Sequence, residues 1–167
     1  SETKTTLMAF SRKERKANAL VDDCAGYAIS ADGSKILARN GSVLALFEHD
    51  GAYVIRVNGV ELMSTRRHNS EDALADLVCR PLQEQDGARV LIGGLGLGFT
   101  LKAALRILAP DAHVVVAEIV GEVIDWNRNP DYPLASDALR DPRVELFRDD
   151  VAHVLQRYPQ AFDAIML

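Results

Sequence analysis

Four of the six residues from Gly93 to Gly98 are glycine, inside the run RVLIGGLGLGFTLKAAL. An apolar run precedes them and an amphipathic one follows, so the glycines mark a turn that leaves a strand and enters a helix. Glycine there lets the chain turn tightly and lets a ligand approach the main chain, while free N–H groups at the helix start attract an anion. The dinucleotide spacing GxGxxG fails, because after Gly94 and Gly96 its third small residue would be Phe99. The spacing that fits is GxGxG, as Gly94-Leu95-Gly96-Leu97-Gly98. That spacing suits adenosylmethionine-type sites, whose ligand has no pyrophosphate to seat.

Two acidic positions downstream have the right types to complete such a site. Glu118 closes VVVAE, 20 residues beyond Gly98, where a carboxylate can accept both hydroxyls of a ribose. Asp149 and Asp150 follow VELFR, between a strand and a helix. A carboxylate at Asp150 can accept from an adenine amino group while the N–H of Val151 serves a ring nitrogen, and the same residue can cap the helix. His68, in STRRHNSE, precedes a helix able to line the pocket and is the histidine with a substrate-side reading. His113 starts an apolar strand and His153 lies on a helix, so both read as structural, as do Phe99 and Trp126. No residue has the setting of a catalytic base, and no cluster has metal-ligand spacing.

The elements that must position these residues change rhythm near residue 70. Before it, GYAIS, KILAR, VLALFEH and YVIRV alternate with ADGS, NGS, DG and NG. Those are hairpin signals, because Gly and Asn tolerate positive φ. They predict an antiparallel meander from Ala25 to about Met63, in a small β domain over 25–69 that follows an N-terminal arm over 1–24. After it, NSEDALADLVCRPL predicts a helix capped by Ser70, with Glu71 and Asp72 in its first turn. Leu74, Leu77 and Val78 would form its apolar face, and Pro81 would close it. Strands at Val90–Ile92, His113–Glu118, Val144–Phe147 and Phe162–Leu167 then alternate with helices at Thr100–Leu108, Val120–Arg128 and Val151–Tyr158, with a helical turn near Ser136–Leu139. The strands are short continuous apolar runs, as expected of parallel strands covered on both faces. The fold class is therefore α/β: a Rossmann-like, doubly wound, mainly parallel sheet over 70–167, preceded by the small meander. Its last strand stops at Leu167, where such a sheet ordinarily continues, so the domain reads as C-terminally incomplete.

Composition narrows the partners. The chain has 167 residues, is 48% hydrophobic and carries a net charge of −5, enough to bury one core. That acidity argues against indiscriminate nucleic-acid binding, which needs clustered cations. The basic run Ser11–Lys16 reads as a solvated arm. Cys24 and Cys79 form no CxxC pattern, which leaves no disulfide framework or zinc site and fits a reducing cytoplasm. No apolar run approaches a membrane span.

These residues resemble the polyamine (spermidine) synthase family, within the class I methyltransferase fold. The likeness runs from about Gly51 to Leu167, through VLIGGLGLGFTLKAAL, VVVAEIVGEVIDWNR, DPRVELFRDDVAHVL and FDAIML. It implies that Gly94, Gly96 and Gly98 form the nucleoside–methionine loop, that Glu118 holds the ribose, and that Asp150 with Val151 meets the adenine. Three departures stand out. The acid that the family's loop uses for the aminopropyl amine is replaced by Gly96. Its Tyr-His-Glu reads Asn69-Ser70-Glu71, leaving Glu71 as a substrate-side match. The acidic motif after its fourth strand lies beyond Leu167. An acid in the loop repels the carboxylate of S-adenosylmethionine, whereas a glycine admits it. The expected activity is therefore an S-adenosylmethionine-dependent transferase of the methyltransferase type. The alternatives are an aminopropyltransferase using decarboxylated S-adenosylmethionine, or a non-catalytic nucleoside-binding module. The expected partner is a small-molecule acceptor, an amine among the candidates, with homodimerisation open.

Overall fold

The computed structural model describes residues 44–167 and four strands in the preceding segment. The chain divides into two compact units, Ser1–Arg67 and His68–Leu167.

In the first unit β1 (Leu7–Ser11) pairs antiparallel with β2 (Lys16–Val21), so the segment read as an arm contains two paired strands. β3 (Ala28–Ile29) pairs with β4 (Ile36–Leu37). Residues 12–15 of the basic run, Cys24, and the ADGS and NGS turns lie outside the described residues. The meander proper is β5 (Leu44–His49), β6 (Ala52–Val57) and β7 (Val60–Ser64), in that order and antiparallel. Both of its turns are the two-residue loops that the sequence signals. Asp50-Gly51 has φ of 50° and 70°, and Asn58-Gly59 has φ of 51° and 81°. Positive φ at both central residues matches the right-handed strand twist.

The second unit carries a four-stranded sheet in the order β10-β9-β8-β11, every neighbouring pair parallel. These strands are β8 (Arg89–Gly93), β9 (His113–Ala117), β10 (Val144–Phe147) and β11 (Ala164–Met166). Val114, Val115 and Val116 point alternately to opposite faces, yet all are buried, so both faces are covered, as continuous apolar runs imply. On one face Leu91, Val115 and Ala117 pack with Val154, and Phe147, Tyr158 and Phe162 close around them. Helices α2 (Phe99–Ile107), α3 (Gly121–Arg128) and α4 (Val151–Arg157) follow their strands as expected, with ends displaced by one residue. The turn expected near Ser136–Leu139 is a 3-10 turn at Ala138–Arg140.

Helix α1 (Asn69–Cys79) departs from expectation. His68, not Ser70, is the residue before its first turn; Ser70 lies inside the helix and its hydroxyl donates to Glu71. Burial falls on Ala75 and Cys79, while Leu77 is 77% exposed. The small residues Ala75 and Cys79 let this helix approach its neighbours closely. Pro81 does not end the helical path; it sits in a 3-10 turn, Arg80–Leu82, where its missing N–H costs nothing.

Candidate functional site

Strand order reverses between β8 and β11. The chain moves outward from β8 to β10, then returns to the other side of β8. Open α/β sheets bind ligands at the carboxyl ends of their strands at that reversal. The glycine turn leaves the carboxyl end of β8 there, and Leu167 follows β11.

The glycines do different work. Gly94 has φ of 110° and open space where a Cβ would stand, so its backbone faces an opening. Gly96 has φ of 54° and Gly98 of 75°, both in the left-handed region. The α-carbon of Gly98, however, is turned to protein, where a Cβ would collide with Ala135. Gly93 likewise lies under the side chains of Leu167 and Val151. Between the glycines, Leu95 and Leu97 are buried and anchor the loop.

Glu118 joins this turn to the next strand. Its side chain is buried; one carboxylate oxygen accepts from the N–H of Leu95 at 2.8 Å, and the other from the N–H of Val120 at 2.8 Å. The loop is held from its other side by Asn127. That fully buried amide donates to the carbonyls of Gly96 (2.7 Å) and Val123 (2.8 Å). Its own oxygen meets no donor among the described residues. Asn127 has no motif behind it, and its one sequence signal is its phase with Val123 and Ile124 on the inward face of α3.

At the end of β10 the two aspartates divide their roles. Asp150 caps α4, accepting from the N–H of Ala152 at 2.8 Å. Asp149 instead binds its own surroundings, with His153 at 3.1 Å and Arg157 at 2.6 Å. The bond from His153, then the N–H of Asp150 and Arg157, hold its carboxyl below the usual value. Two further residues stand beside these groups. Ile119, next to Glu118, is an apolar side chain that is 57% exposed. The guanidinium of Arg148 lies against Gly121, where any Cβ would collide with it.

His68 directly precedes α1. Its ring stacks on Phe99, the residue directly after Gly98, with centroids 4.1 Å apart and planes 9° apart. The ammonium of Lys102 lies 4.3 Å from the centroid of the same phenyl ring and donates to the carbonyl of Leu134. Burial first, then Arg106, hold that amine below its ordinary value, with Asp72 opposing. Glu71 lies in the first turn of α1, bonded to Ser70. Cys79 is an inert thiol: burial, then Asp76, push its pKa to about 11. Among the described residues no group of three His, Cys, Asp or Glu could hold a metal ion, and no helix is long and apolar enough to cross a membrane.

No family model matches the chain, and no curated protein matches it. Solved structures do. A spermidine synthase in complex with the transition state analogue AdoDATO superposes with a TM-score of 0.61 at 19% identity, covering 83% of this chain and 52% of that one. The spermidine synthase of Thermotoga maritima gives 0.58 at 19% identity, covering 84% and 53%. The chain thus spans about half the length of these structures. At that identity the likeness speaks for architecture alone: this chain has the Rossmann-like, class I methyltransferase fold that the spermidine synthases share.

Proposed function

We propose that the chain binds S-adenosylmethionine and serves transfer of its methyl group to a small-molecule acceptor. The observation that supports this reading best is the bond between Glu118 and the N–H of Leu95, because it joins the glycine turn to the candidate ribose acid. The donor set fits. A carboxylate has about four lone-pair positions; Glu118 spends one on each oxygen within the protein, which leaves one on each for a vicinal diol. Gly94 opens its backbone to the ligand, Ile119 offers an apolar face for a base, and Asp150 spends one oxygen on its cap. Bound there, the nucleoside would supply a sulfonium carbon open to in-line displacement, and the protein's part is to hold the reacting atoms in line and exclude water. A reducing cytoplasm suits the thiol of Cys79.

Gly96 favours S-adenosylmethionine over its decarboxylated form. No side chain stands at that loop position, and its left-handed φ is one that glycine adopts without strain. A carboxylate there would face the carboxylate of the ligand, a like-charge contact worth several kcal/mol. Aminopropyl transfer is the second reading, favoured by the spermidine-synthase arrangement over 83% of the chain. Calorimetric titration with both nucleosides separates the two. We expect S-adenosylmethionine to bind at least tenfold tighter and Gly96→Asp to reverse the order. Tighter binding of the decarboxylated form by the wild type would make aminopropyl transfer the better reading.

A further inference from the structure

We propose that His68, held by Asp72, is the base on the acceptor side of this site; the inference rests on the S-adenosylmethionine reading above. Nδ1 of His68 lies 2.8 Å from Oδ2 of Asp72. An ionised carboxylate has no proton to give, so in the neutral ring Nδ1 carries the hydrogen and Nε2 keeps its lone pair. A histidine whose only role was to cap α1 would be bonded to that helix's first N–H groups, and this side chain makes no such bond. The ring is instead fixed twice, by the carboxylate and by its stack on Phe99, one residue from the glycine turn. Its side chain is 35% exposed, enough to exchange a proton with solvent.

The charged groups facing this ring come from two helices. From α1 there is Asp72, whose other oxygen lies 3.3 Å from Arg106. From α2 there are Arg106 and Lys102, the latter over Phe99. Asp72 is a positioning residue: it fixes the tautomer, and Arg106 shares its charge. In the step assigned to His68, an N–H or O–H acceptor attacks the carbon bonded to the sulfonium. A C–N or C–O bond forms, the C–S bond breaks with its electron pair going to sulfur, and the acceptor's proton passes to Nε2 and on to water.

The test is nitrogen NMR of the full chain labelled at its histidines, titrated free and with S-adenosylmethionine or S-adenosylhomocysteine. His68→Phe, which keeps a stacking ring, assigns the signal. The neutral ring should carry its proton on Nδ1, and Asp72→Asn should shift population toward the Nε2–H form. With S-adenosylmethionine bound, the ring-nitrogen signals of His68 should differ from those beside the neutral thioether, because the sulfonium charge would lie next to Nε2. Identical His68 ring signals in the two complexes, or a proton on Nε2 in the free wild type, overturn the proposal while leaving the nucleoside site intact. If neither nucleoside binds the wild type, the functional reading itself fails and this inference falls with it.

Discussion

At its amino end α2 begins on Gly98, with no side-chain cap and a backbone opening at Gly94. At its carboxyl end the guanidinium of Arg143 donates to the carbonyls of Leu105, Leu108 and Ala109, at 3.0, 3.0 and 3.3 Å. Arg143 also holds Asp141 through Nε and Nη2. Glu118, just after β9, thus holds the turn that precedes α2 through the N–H of Leu95, and Arg143, just ahead of β10, holds the carboxyl end of the helix. Helix dipoles favour charge of these signs near the respective ends. The difference lies in what remains. All the terminal nitrogens of Arg143 have partners in the protein, so it is a finished joint, whereas Glu118 keeps about half its accepting capacity. A charge spent wholly on its own backbone stabilises; one spent by half can also bind.

The largest effect should come from the finished joint. Arg143→Ala takes the guanidinium away from three carbonyls at the end of α2 and from Asp141, leaving Ala109 with the N–H of Ala112 and Asp141 with the backbone N–H of residue 143. We expect a loss of about 2–4 kcal/mol in urea-unfolding stability, in the range for hydrogen bonds to charge that is largely withdrawn from water. Nucleoside affinity should stay within about twofold of wild type. An affinity that falls in step with stability would show that the two ends of α2 are not separate.

Glu118→Gln tests the open end. The amide keeps the size of the side chain but can accept on one oxygen only. Nucleoside affinity should fall by roughly 1.5–3 kcal/mol, the range for hydrogen bonds to a charged group, with a stability loss smaller than that of Arg143→Ala. Unchanged affinity in calorimetry would remove Glu118 from the site and, with it, the contrast between the two ends.

Which of these features the sequence displays follows from how each is encoded. The parallel strands are readable because burial on both faces demands unbroken apolar runs such as Val114–Val116. The hairpin turns are readable because positive φ narrows the choice to Asp-Gly and Asn-Gly. Helix α1 is less legible, since its period admits two stripes. Leu74, Leu77 and Val78 carry the hydrophobicity, but close packing is made by the small residues Ala75 and Cys79. Glu118 and the glycine turn show as types at a spacing, while Asn127 does not, because a polar residue on an amphipathic helix ordinarily faces water. Only its carbonyl partners at Gly96 and Val123 explain it. The pairing of His68 with Phe99 joins residues 31 apart on two helices, and no local pattern encodes such a contact.

The smallest expected effect sharpens the comparison from inside the finished joint. The bond to Arg143 holds the carboxyl of Asp141 below its ordinary value, against the cost of its burial. A carboxyl lowered on folding contributes stability that is whole above its unfolded pKa, near 3.8, and is lost as pH falls through the folded value. Arg143 stays charged throughout, so its bonds to the α2 carbonyls should survive without Asp141. Asp141→Asn should therefore cost only about 1 kcal/mol at pH 7, as expected of a partly exposed pair. In urea unfolding from pH 7 to pH 2, the gap between wild type and this variant should hold steady down to about pH 4 and then close. Subtracting the two curves cancels the acid limb of Asp149, which is also lowered. A cost equal to that of Arg143→Ala would mean that Arg143 holds the helix only when its carboxylate aims it, so that this joint is a relay rather than a direct clasp; a gap that persists at pH 2 would show that the contribution of Asp141 does not come from its ionised carboxylate.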